Sequence, residues 1–73
     1  MRTFAVWSRI LGGEWSIAQF GGKRAEFSTM EEALGVEATL KDPIRETMVI
    51  SIDQQATMTD GAYFIKKTYE IVG

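Results

Sequence analysis

The chain has 73 residues, 45% of them hydrophobic, with one Pro, no Cys, no His and a formal charge of −2. That composition fits one compact domain, residues 1–73, and excludes intrinsic disorder, a disulfide framework and thiolate or imidazole metal sites. The slight acidity weighs against general affinity for polyanions, which needs clustered Lys and Arg.

Thr3 to Ile10 alternates as a strand does, with Phe4, Val6 and Ile10 on one face and Ala5 and Trp7 on the other. Gly12-Gly13 offers the positive φ angles of a tight hairpin. Glu14 to Phe20 is expected to return as one strand, and Gly21-Gly22 to turn into a short third strand over Ala25 to Phe27, a β-meander. With a two-residue turn Ile10 faces Trp15. Trp15 is then expected in the core beside Phe4, and Trp7 on the opposite face near Ala18 and Phe20, either buried or exposed.

Ser28 and Thr29 each stand three residues before a Glu, the capping-box spacing in two registers. Met30, Ala33 and Leu34 follow at helical spacing, which predicts a helix from Met30 to Leu40, ended by Lys41-Asp42-Pro43. Gly35 inside it costs roughly 1 kcal/mol relative to Ala, so either the helix is weak or something packs close to its backbone. Thr47 to Asp53 reads as a strand, and the polar Gln54 to Gly61 as a connection closed by an Asp60-Gly61 turn. Ala62 to Val72 is a long strand, with Tyr63, Ile65, Tyr69 and Ile71 on one face and Phe64, Lys66, Thr68, Glu70 and Val72 on the other. The predicted fold is α+β: an antiparallel β-sheet of four to five strands with one helix across a face, in the order β-β-(β)-α-β-β.

No group of residues reads as catalytic, so the chain is not expected to be an enzyme, nor to need a cofactor or metal. Without His or Cys, acid–base or nucleophilic work falls to carboxylates, Lys, Tyr or Ser. Glu31 and Glu32 suit a helix start, and Asp53 and Asp60 are expected to flank a turn. The glycine pairs lack the spacing of a phosphate loop.

Surfaces carry more. Residues 1–25 hold Arg2, Arg9, Lys23 and Arg24 against Glu14, while residues 26–46 are acidic, which makes either a dipolar surface that steers a partner or an ordinary solvated helix face. An aromatic anchor with charges at its rim suits a protein partner. The candidate contact residues are Trp7, Arg9, Phe20, Lys23 and Arg24.

The runs Gly13-Glu14-Trp15-Ser16-Ile17 and Phe27-Ser28-Thr29-Met30-Glu31-Glu32-Ala33 resemble a pattern in short bacterial and phage proteins, a hairpin with Trp after the turn feeding a capped helix start. Some of these are similar to small phage-encoded host-takeover proteins that bind bacterial RNA polymerase. The resemblance implies a non-catalytic regulator that binds a larger host protein, most specifically bacterial RNA polymerase, to inhibit or redirect transcription. No contact residue carries over from it. The rivals are an inhibitor of a different host protein such as a defence system, a small nucleic-acid-binding domain using Lys23 and Arg24, and a homodimer joined through an exposed strand edge such as Ala62 to Val72. No run of about 18 apolar residues is present, and the N-terminus lacks a signal-peptide core. The expected location is the cytoplasm, that of the host bacterium if the protein is phage-encoded, and the expected state a monomer or weak homodimer.

Overall fold

Apolar alternation makes Arg2–Ile10 strand β1 of the computed structural model, which describes residues 1–73. Four two-residue strands follow: β2 (Ser16–Ile17), β3 (Gln19–Phe20), β4 (Lys23–Arg24) and β5 (Glu26–Phe27). Helix α1 (Met30–Leu40) leads into the 15-residue β6 (Arg45–Thr59) and then β7 (Ala62–Ile71). The fold is α+β: an antiparallel sheet in the order β2-β1-β6-β7, with β5 also on β1 and the helix packed on β1 and β6.

The first half does not build the expected meander. β2 and β5 pair with the same edge of β1, at Trp7–Ser8 and at Phe4–Ala5, and the little β3–β4 hairpin projects from between them. Its base is tied to Val6. The Val6 N–H donates to Ala25 O at 2.9 Å, the Ala18 N–H to Val6 O at 2.8 Å, and the Ala25 N–H to Ala18 O at 2.9 Å. The single strand expected over Glu14 to Phe20 is thus split at Ala18, which enters the core.

The loop between β1 and β2 is longer than two residues, and this reverses the expected faces. The Gly13 N–H closes a turn on Ile10 O at 2.7 Å, Gly12 rather than Gly13 takes a positive φ (81°), and pairing resumes at Ser8 with Ser16. Trp15 therefore falls opposite Arg9 instead of Ile10. A register change of one residue turns every side chain over, so Trp15 shares a face with Trp7, not with Phe4.

Thr29, not Ser28, caps the helix: the Glu32 N–H donates to Thr29 Oγ1 at 3.3 Å. At the other end Asp42 accepts the Ile44 N–H at 2.9 Å across Pro43 and turns the chain into β6. The helix lays Ala33 and Glu37 against the sheet, and the core cluster is Val6, Ala18, Ala25, Ala33 and Val49. Side chains this small let the helix lie close, but they bury little apolar area, which is the main stabilising term. A Cβ at Gly35 would meet nothing within 4 Å, so this glycine serves no close packing and simply weakens the helix.

β6 is the splint of the molecule. It pairs with β1 from Arg45 to Asp53 and with β7 from Ile50 to Thr59. Residues 54–59, expected as a polar connection, are strand because β7 folds back along them through the two-residue Asp60–Gly61 turn, both with positive φ (50° and 77°). Asp53 lies within β6 rather than at a turn, 3.8 Å from the N-terminal amine and 3.9 Å from Arg2. Beyond it β6 and β7 form a two-stranded arm, and residues 55–71 are all exposed. The molecule measures 51 × 25 × 23 Å, with a radius of gyration of 14.4 Å. A compact chain of this length gives about 11 Å, so the arm makes it long.

Candidate protein-binding surface

Residues directly opposite one another in an antiparallel sheet share a face, so the register sorts every side chain. Phe4, Val6, Val49 and Val72 point toward α1. The alternate residues form the other face, and no helix or second sheet packs on it. One row crosses it as Ile17, Trp7 and Met48. The next rows are Ala5, Ile50 and Ile71, then Thr3, Ile52 and Tyr69. Past the pair Gln54 and Lys67 the apolar series continues up the arm as Ala56 with Ile65 and Met58 with Tyr63. Ala5 and Ile52 are buried, Trp7, Ile17, Met48 and Ile50 half-buried, and Tyr69, Ile71, Ile65, Tyr63 and Met58 at least 58% exposed. The arm is therefore amphipathic, its other face carrying Gln55, Thr57, Thr59, Lys66 and Thr68 with Phe64 as its one large apolar side chain.

At the end far from the arm the open face has a polar rim. Arg9 donates from Nε and Nη2 to Glu46 Oε2 at 3.1 and 2.9 Å, and its guanidinium carbon lies 4.8 Å from the centre of the Trp15 ring. That distance is within cation–π range. The Trp7 indole N–H is shielded and has no acceptor. Beside the rim is an open cleft of about 470 Å³, lined by Arg9, Gly13, Glu14, Gln19 and Arg45 among others. No three acidic side chains gather where one ion would bind them together.

The five candidate contact residues fall into two groups. Trp7 and Arg9 point to the open face from β1, two residues apart. Phe20, Lys23 and Arg24 stand on the β3–β4 hairpin, where Phe20 pairs with Lys23 and Gln19 with Arg24 across the Gly21–Gly22 turn. All three are exposed, Phe20 to 43%. The Ala18–Ala25 base separates that hairpin from the row of Trp7, so the structure does not gather the five into one row. Sequence reasoning missed the largest part of the surface, the series from Ile50 and Ile71 out to Met58 and Tyr63. The alternation of Tyr63, Ile65, Tyr69 and Ile71 was its visible signal; the missing information was that no layer covers that face.

Comparison of the chain with protein-family models, with curated proteins and with solved structures finds no match. No helix is long and apolar enough to cross a membrane.

Proposed function

We propose that this protein is a non-catalytic binding module that occupies a surface of a larger protein through the helix-free face of its sheet. The observation that carries this reading is the open apolar face itself, running from Trp7 and Met48 to Tyr63, with the Arg9–Glu46 pair at its rim. Exposed apolar patches of more than a few hundred Å² mark interaction sites on soluble proteins. A polar rim around an aromatic centre is the usual anatomy of a protein–protein contact. The partner proposed is bacterial RNA polymerase, on the sequence resemblance, with transcription inhibited or redirected in the cytoplasm of a host bacterium. The eight Lys and Arg are scattered over β1, the β3–β4 hairpin, the end of α1, the start of β6 and the arm, and in a chain of net charge −2 they form no track for a phosphate backbone.

Titrating the full chain against purified bacterial RNA polymerase holoenzyme tests both levels of the reading. Tight binding is expected. Trp7→Ala should weaken it by more than about 1 kcal/mol, the scale of an interface anchor, while circular dichroism shows the sheet retained. Phe20→Ala, outside the core, measures the separate contribution of the hairpin. No binding to the polymerase overturns that partner. Binding indifferent to Trp7→Ala overturns the surface, and tight single-strand DNA binding at physiological salt overturns the protein-binding reading altogether.

A further inference from the structure

The outer edge of the sheet carries an inference of its own. β7 pairs with β6 and with no other strand, and all ten of its residues are exposed. The Val72 N–H donates to Val49 O on the β6 side. Hydrogen-bonding direction alternates along an antiparallel strand, so Ile65, Lys67, Tyr69 and Ile71 turn their N–H and C=O groups outward. A bare edge of this length is a template for another strand. We propose that the strand it takes is β7 of a second copy, antiparallel about a two-fold axis at Thr68, so that two molecules share one continuous sheet.

The residues around Thr68 are complementary to themselves when reversed. The stretch reads Ile65-Lys66-Lys67-Thr68-Tyr69-Glu70-Ile71. With Thr68 facing Thr68, Lys66 of each copy faces Glu70 of the other, Ile65 faces Ile71, and Lys67 faces Tyr69. Opposite charges, apolar pairs and Thr–Thr pairs directly across a ladder each stabilise it, and a Lys beside an aromatic ring adds a cation–π contact. The four outward residues meet the four outward residues of the second copy, which makes about eight backbone hydrogen bonds.

Other registers lose this fit. A slide of two residues one way sets Lys67 against Lys67, and of four sets Lys66 against Lys66. A slide of two the other way sets Lys67 against Ile71 and leaves Lys66 without Glu70. Odd slides oppose outward to inward residues and turn one copy over. The two lysines at the middle of the edge thus do in the slipped registers what edge lysines do in general, which is to forbid unwanted pairing, whereas in the proposed register Lys66 meets Glu70 and Lys67 meets Tyr69. Since opposed residues share a face, both helices lie on one side of the joined sheet and both open apolar faces on the other.

The chain has no Cys, which gives a direct test on the full-length protein. Cα atoms of a non-hydrogen-bonded pair lie about 4.5 Å apart, within disulfide reach, so Thr68→Cys should form a disulfide dimer on mild oxidation. Glu70→Cys, whose twin lies four residues along the ladder, should stay monomeric. Sedimentation of the wild type should show a concentration-dependent monomer–dimer equilibrium, untouched by Trp7→Ala. Lys66→Glu and Glu70→Lys should each weaken dimerisation by about tenfold or more. An equimolar mixture of the two variants should recover wild-type affinity, because each reversed side chain then meets an opposite charge. A wild type monomeric to about 1 mM overturns the proposal. So does cross-linking equal for Thr68→Cys and Glu70→Cys, or a dimer unmoved by the charge reversals. None of these results bears on binding to the polymerase, so the two readings fail separately.

Discussion

One strand, β6, runs through two very different settings. From Arg45 to Asp53 it has β1 beside it and α1 above it, and Val49 and Ser51 there are buried along with Ile52. From Gln55 outward it has β7 alone, and residues 55–59 are exposed. Backbone pairing is continuous across the boundary, so what changes is burial. A net hydrogen bond contributes roughly 0.5–1.5 kcal/mol, and a lone two-stranded hairpin is at best marginal in water. The arm holds its shape because its root is clamped into a three-stranded region and its tip is closed by a turn that Asp60 and Gly61 adopt readily. Hydrogen bonding therefore sets the direction of the chain in both regions, while apolar contact under the helix supplies stability in only one.

That contrast can be broken most sharply at Val49. Val49→Ala removes two buried carbons from the core cluster, at about 0.8 kcal/mol each plus a cavity term. Urea unfolding should show a loss of about 2–3 kcal/mol; a change near zero would mean that the body is not stabilised by this cluster. Next come the helix variants. Thr29→Ala removes the cap and should cost about 1 kcal/mol, and Gly35→Ala, with nothing near the new methyl, should raise stability by about the same amount. A fall in melting temperature for Gly35→Ala would show a neighbour at that backbone. The smallest global effect is expected in the arm: Ile65→Ala should change unfolding by less than about 0.5 kcal/mol, the range for surface positions. Hydrogen exchange sharpens the same comparison, with outer-arm amides exchanging well before those of β1 and the Arg45–Asp53 half of β6. Equal protection throughout would erase the distinction.

Local signals in the sequence reached the local structure and stopped there. The helix was legible to its ends, because Thr29 with Glu32 marks a start and Asp42-Pro43 a stop, both read from side chains a few residues apart. The two faces of β7 were legible too, since alternation alone assigns them. What failed depended on counting across a loop or on distant pairing. Two glycines promised a two-residue turn after β1, the chain used more, and Trp15 changed sides. Gln54 to Thr59 looked like a connection because its side chains are polar. It is strand because the Asp60–Gly61 turn brings Ala62 to Lys67 back along it. Of the candidate surface, Trp7 and Arg9 were placed from their own strand. Their neighbours Ile17 and Met48 lie on other strands and follow only from the strand order.

The unbroken passage of β6 from the body into the arm has a mechanical consequence. A domain joined to its protrusion by a flexible linker lets the two point anywhere. Here the same strand, without a bulge or glycine between Arg45 and Thr59, is part of both, and its neighbour β7 grips it across the junction. A torque applied near Asp60 is carried along a continuous hydrogen-bonded ladder to Val49 and the helix. Whatever holds the tip also sets the bearing of the whole molecule, with the right-handed twist of a two-stranded ribbon as the main freedom left. The arm is a lever rather than a tether.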